Sequence, residues 1–265
     1  AENTTAVMTV TATDADLPAQ TLTYSIMGGA DAAKFAINSS TGALSFVSAP
    51  DFETPTDAGG DNVYDVTVQV ADGQGSTDSL AIAVTVTSAN DNAPVITSGS
   101  TASVAENTTA VMTVTATDSD QPAQTLSFSI VGGADAAKFT INASTGALSF
   151  LTTPDYETPT DAGGNNIYDV TVQVSDGQGS TDSEAIAVTV TSANDNAPVI
   201  TSGATANVAE NTTAVMTVTA TDADQPAQSL SFSIVGGADA AKFAINSSTG
   251  ALSFISAPDF ETPTD

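Results

Sequence analysis

The chain has 265 residues, with 31 acidic side chains against three basic ones and a formal charge of −28. It contains no Cys, His, Trp or Arg. That excludes thiolate and disulfide chemistry, the usual imidazole base and most transition-metal sites, and leaves nothing to neutralise a nucleic-acid backbone or an anionic membrane surface. Apolar residues are 41% and charged ones 13%, so a packed core is within reach, and no apolar run approaches the ~20 residues of a membrane helix.

The segment Ala-Glu-Asn-Thr-Thr-Ala-Val-Met-Thr-Val begins at Ala1, Ala105 and Ala209. The period of 104 residues is that of a whole domain, not of a solenoid unit. Residues 1–104 and 105–208 differ at 17 positions without a gap, many of them apolar for apolar, as in Val47/Leu151 and Tyr24/Phe128. Domains are expected at 1–92, lacking its first strand, at 93–196, and at 197–265, lacking its last strands. The simplest reading is a piece of a longer array. A third copy that stops before the counterparts of Tyr64–Val70 and Ile82–Val86 is expected to fray or to take strands from another chain.

In chain order, Met8, Val10 and Ala12 alternate with Thr9 and Thr11, and Leu22, Tyr24 and Ile26 alternate likewise. One helical turn at most is expected at Ala30–Lys34. Phe35 with Ile37, Leu44 with Phe46, Tyr64 through Val70, and Ile82 through Val86 follow at period 2. Val95-Ile96 then opens the next copy. Such alternation, enriched in β-branched and aromatic residues, predicts strands. Gly28-Gly29, Ser40-Thr41-Gly42, Gly59-Gly60 and Asp72-Gly73-Gln74-Gly75 supply the turns. About seven strands per copy predict an all-β chain of tandem immunoglobulin-like Greek-key β-sandwiches, end to end in a rod.

Twelve acids fall in each full copy against one Lys. They read either as a solvated surface or as a ligand set. Asp14 with Asp16, and Asp51 with Glu53, are i, i+2 pairs, whose side chains point the same way in extended chain. With Asn90-Asp91-Asn92 before Pro94, they form a hard-oxygen set without N or S donors, which suits Ca²⁺. Asp57 lies outside these groups, so Asp91→Ala is expected to loosen the first junction far more than Asp57→Ala. Asp51 with Glu53 as a catalytic pair lacks any sign of a cleft, and the Gly-x-Gly at 73–75 precedes a strand, not a helix. No enzymatic activity is expected. Asn3, Asn38, Asn107, Asn142, Asn211 and Asn246 stand in Asn-x-Ser/Thr sequons, a frequency that the Ser and Thr content produces by chance.

The ordered elements Ala-Glu-Asn at Glu2, Asp-x-Asp at Asp14 and Asp16, Asp31-Ala-Ala-Lys-Phe, Ser-Thr-Gly-Ala-Leu, Pro-Asp-Phe-Glu at Asp51 and Glu53, Asp-Gly at Asp72, and Asn-Asp-Asn-Ala-Pro resemble a cadherin repeat, in its bacterial cadherin-like form. The resemblance covers the whole chain. It implies up to three Ca²⁺ at each repeat junction. The first junction would take Glu2, Asp51 and Glu53 from the lower repeat, Asn90, Asp91 and Asn92 from the linker, and Asp118, Asp120 and Asp176 from the upper repeat. The second would take Glu106, Asp155, Glu157, Asn194, Asp195, Asn196, Asp222 and Asp224. Ser88 and Ser192 replace the first Asp of the family's linker motif, which weakens one site.

The resemblance implies a calcium-stiffened spacer, extracellular or at the cell surface, in a bacterial adhesin, appendage, matrix fibre or biofilm. Its partners would be calcium ions, neighbouring repeats of the same chain, and other copies in a fibre or a cell-surface ligand. Nucleic acid and membrane insertion are not expected. The alternatives are a module binding carbohydrate or making homophilic protein contact, and a self-assembling filament subunit.

Overall fold

The computed structural model describes residues 1–263; the expected third domain's last two residues, 264 and 265, lie outside the described residues. The chain divides into two compact units. One comprises Ala1–Ser98, Val114–Ser129 and Gln173–Ser183, the other Gly99–Thr113, Ile130–Val172 and Glu184–Asp265.

In the first unit, strand Val63–Ala71 lies between Thr23–Gly28 and Thr77–Thr85, antiparallel to both. A second sheet places Ala43–Phe46 between Ala6–Thr9 and Phe35–Ile37. The inward faces follow the expected alternation. Tyr64, Val66 and Val68 of one sheet meet Phe35, Leu44 and Phe46 of the other in a single core that includes Val10 and Val86. The Phe35 and Phe46 rings stack at 4.7 Å, and Tyr64 meets Phe46 edge-on at 5.1 Å. The Tyr64 hydroxyl accepts the Thr56 N–H, so the ring's polar tip is satisfied at the core's edge. A single 3₁₀ turn, Ala32–Lys34, is the helical content of this copy.

The opening strand departs from the sequence reading. Met8 is 46% exposed, while Val7 packs on the core beside Val10. The register slips between Ala6 and Met8, where the strand pairs with Ser45 and Leu44. A bulge inverts the phase of a period-2 pattern. Gly42 follows from the same pairing. It sits at φ +70, and a Cβ there would lie 2.1 Å from the Val10 carbonyl oxygen.

In the second unit, Ala147–Phe150 lies between Ala110–Thr113 and Phe139–Ile141, and Ala251–Phe254 lies between Ala214–Thr217 and Phe243–Ile245. Phe139, Phe150 and Tyr168 repeat the aromatic trio. Strand Thr101–Ala105 was not expected. It pairs in parallel with Ala187–Thr191 of the strand Thr181–Thr191. Its sequence, Thr-Ala-Ser-Val-Ala, carries too little apolar contrast to signal a strand. Residues 230–237 of the third copy form no strand, and Leu230, Phe232 and Ile234 line an open groove of about 750 Å³.

Asp57 is not a bystander. It is 7% exposed, and its carboxylate accepts the N–H groups of Asp61 and Asn62, closing the loop before the strand Val63–Ala71. Asp161 does the same for Asn165 and Asn166. Asp31 is also buried and accepts from Ala58 and Asp65. Burial opposes ionisation of Asp57 and Asp161, but the main-chain N–H bonds outweigh it and hold both below the ordinary 3.8. A folded pKa below the unfolded one gives stability that is present above about pH 4 and lost as pH falls through the folded value. In chelator, the Asp57→Asn/Asp161→Asn double variant is expected to be less stable than the parent at pH 7. Its urea midpoint should fall less steeply than the parent's from pH 4 to pH 2; parallel curves would contradict the assignment.

Candidate metal centre

The first junction lies wholly within the first unit and the second wholly within the other. Each is built around a buried glutamate. Glu2 is 2% exposed. Asn3 follows it at φ +58, a left-handed turn that Asn tolerates. The Glu2 main chain donates to the Thr87 carbonyl, and Asn3 N–H donates to that of Pro50. The Glu2 carboxylate then accepts Phe52 N–H at 2.7 Å and Ala89 N–H at 2.6 Å. One side chain thus ties the opening turn, the Asp51–Glu53 loop and the linker. Glu106 repeats this with Tyr156 and Ala193, each at 2.6 Å.

Carboxylate oxygens of Glu2, Glu53 and Asp91 lie within 4.8 Å of one another, as do those of Glu106, Glu157 and Asp195. A third group, Glu210, Asp259 and Glu261, does likewise in the last copy. Burial, with the neighbouring Glu2 and Asp91 charges, pushes the Glu53 carboxyl up; burial with Glu106, Asp195 and Asp155 does so for Glu157. These groups are held close although they repel.

The other expected ligands surround each trio in different ways. Asp51 turns one oxygen to the Glu53 and Thr54 N–H groups, and Asp155 to those of Glu157 and Thr158. Asp118 uses one oxygen for the Asp120 N–H, and Asp222 does the same for Asp224. Asp176 uses one oxygen for three N–H groups, those of Gln178, Gly179 and Ser180. Asp120 is 1% exposed and clasps the linker, accepting the Asn92 N–H at 3.1 Å and its amide at 2.8 Å. Burial opposes its ionisation, yet these Asn92 bonds hold it below the ordinary carboxylate value. Asp224, 0% exposed, receives the Asn196 N–H and amide in the same way. The Asn92 amide also reaches Asp91 at 3.1 Å, and that of Asn196 reaches Asp195 at 3.1 Å. These two asparagines therefore act as donors between carboxylates. Asn90 and Asn194 donate to Gln124 and Gln228. The Ser192 hydroxyl donates to the Gln225 carbonyl.

The donor set fits a hard cation. Both Glu53 oxygens, one Asp118 oxygen, one Asp176 oxygen and one Glu157 oxygen are buried without a hydrogen-bond partner. A buried ionised oxygen without a partner is costly, and a divalent cation is a partner that every one of these positions can take. The ligand atoms are all oxygen, as Ca²⁺ requires.

Two contributors escaped the sequence reading. Asn3 and Asn107 donate their side-chain amides to Asp91 and Asp195. Their recurrence directly after Glu2 and Glu106 was the available signal, but it was read only as a sequon. Gln124 and Gln228 form the other pair.

The family model described as Cadherin domain matches residues 1–87, 100–191 and 204–265. Human Protocadherin Fat 1 is 33% identical across 97% of this chain, which spans 6% of that protein. Mouse Cadherin-related family member 2 is 32% identical across 81%, spanning 17% of it. Among solved structures, mouse Cadherin-23 EC22-24 superposes with a TM-score of 0.68 at 24% identity, covering 99% of this chain and 84% of that one. A Protocadherin gammaB7 EC3-6 cis-dimer structure gives 0.67 at 25%, covering 91% and 61%. No helix among the described residues is long and apolar enough to cross a membrane. The ordered motifs, the two-sheet repeats and the matched spans agree over nearly the whole length: the chain belongs to the cadherin domain family, whose repeats are extracellular modules of cell-adhesion proteins.

Proposed function

We propose that this segment is a calcium-stiffened spacer, with up to three Ca²⁺ at each junction between the domains 1–92, 93–196 and 197–265. The observation that carries the reading is the set of buried, unpartnered oxygens on Glu53, Asp118, Asp176 and Glu157. Glu2, Glu53, Asp91, Asp118 and Asp176 would hold the ions at the first junction, and Glu106, Glu157, Asp195 and Asp222 at the second. Asp51 and Asp155 would add their second oxygens, Asp120 and Asp224 would fix the linker, and Asn90 and Asn194 would offer amide oxygens. Bound calcium supplies positive charge among carboxylates that otherwise repel, and it joins lower repeat, linker and upper repeat. Ser88 and Ser192 offer hydroxyls where the family has a carboxylate, so one ion per junction is the weakest.

The setting we infer is the surface of a bacterium, in an adhesin or matrix fibre. The support is the near-identity of consecutive copies, which suits a spacer better than a ligand-reading domain. The curated relatives are animal proteins. A second reading, contact between copies, draws on the cis-dimer described for the gammaB7 segment. Small-angle scattering of the full chain tests the spacer. Millimolar calcium is expected to lengthen and stiffen it, and chelator to reverse this. Identical scattering in both conditions would end the reading.

A further inference from the structure

Asp120 Oδ2 can only accept, so the Gln124 atom 3.2 Å from it is the amide nitrogen. The Gln124 oxygen then faces the linker and accepts Asn90 Nδ2 at 2.9 Å. This chain, running out from the Asp120 carboxylate, fixes the orientation of both amides. The second junction repeats it, with Gln228 Nε2 to Asp224 at 3.1 Å and Asn194 Nδ2 to Gln228 Oε1 at 3.0 Å. In the first copy, Gln20 occupies the same position.

We propose that Gln124 and Gln228 are positioning residues of the calcium junctions. Each clamps the linker asparagine to the Asp-x-Asp loop of the upper repeat, so that the asparagine's oxygen stays on the cation side before calcium arrives. The inference rests on the calcium reading above. Without the glutamine, the Asn90 amide is free to turn over and Asp120 Oδ2 loses the amide that ties it to Asn90. Partners behind metal ligands typically govern affinity by 10–100-fold.

The test uses the full chain with Gln124→Met, which keeps length and removes the amide, and Gln228→Met as its reciprocal. Calcium chloride is titrated while the backbone amide resonances of Asn92 and Asp120 report the first junction, and those of Asn196 and Asp224 the second. Gln124→Met is expected to raise the calcium midpoint about tenfold at Asn92 and Asp120 only, and Gln228→Met at Asn196 and Asp224 only. In chelator, the Asn90 side-chain amide should exchange slowly in the parent and freely in Gln124→Met, with the core resonances of both repeats retained. Equal midpoints at both junctions in both variants would overturn the clamp and leave calcium binding intact. Resonances in the parent that never respond to calcium would overturn the calcium reading itself. Loss of core resonances in both variants would show a structural role and overturn the positioning one.

Discussion

Asp91→Asn is expected to act with opposite sign in calcium and in chelator. In the absence of metal, the Glu2, Glu53 and Asp91 carboxylates sit within 4.8 Å of one another. Two unit charges at that separation repel by about 3 kcal/mol at an effective dielectric of about 20, less where solvent screens Asp91. Replacing one charge by an amide relieves two such pairs. It keeps one oxygen for Asn3 or Asn92 and turns an NH₂ toward the other, at little cost because residue 91 is exposed to water. The apo variant should therefore unfold at the parent's temperature or above it. With calcium the order reverses. Extracellular modules bind with Kd of about 10⁻⁴–10⁻³ M, so 10 mM calcium adds about 2 kcal/mol per ion held. For a repeat of this size that is about 10 °C in unfolding temperature. The variant forfeits most of it at the first junction. A solvated surface acid would give the same small shift in both conditions, so thermal scans with and without chelator decide between the two accounts.

The sequence carried the sheets where one face is apolar without interruption, as from Tyr64 to Val68 and from Phe35 to Phe46. It misled at Met8, because a bulge inverts the alternation and no residue type in that strand announces one. It was silent on Thr101–Ala105, whose place comes from parallel pairing with a distant strand. At the junctions, the fold brings together carboxylates that the motif spreads along the chain: Glu2, Glu53 and Asp91 are 51 and 38 positions apart yet share one cluster. What it did not disclose was division of labour. Asp118 and Asp176 keep an oxygen without a partner, while Asp120 spends one oxygen on the linker and the other on Gln124, and Asp57, outside the motif, fastens a loop. Identical residue types took different roles because neighbouring N–H groups, invisible in a pattern of side chains, reached some oxygens and not others.

That division yields the second large effect. Glu106 and Glu157 belong to one cluster, but only Glu106 has both oxygens engaged by main-chain N–H groups, those of Tyr156 and Ala193. Glu106→Gln replaces one acceptor with an NH₂ group that must face a donor. Leaving a buried donor without a partner costs about 1–3 kcal/mol, and the lost bonds are to a charged group. A total near 3 kcal/mol is expected at neutral pH in chelator, where no metal is involved. Calcium should widen the loss, since the same carboxylate belongs to the ligand trio. Glu157 has one oxygen without a partner and the other 3.4 Å from the Asn196 amide. Its charge is disfavoured by burial and by Glu106, Asp195 and Asp155, so Glu157→Gln should leave the chelated protein as stable as the parent or more so. In calcium it should lose about as much as Asp91→Asn does at the other junction. Urea midpoints of the two variants, each with and without calcium, separate a strut that the fold needs from a ligand that only the metal needs. If both variants weaken the chelated protein alike, the unpartnered oxygen of Glu157 is not the mark of a cation site.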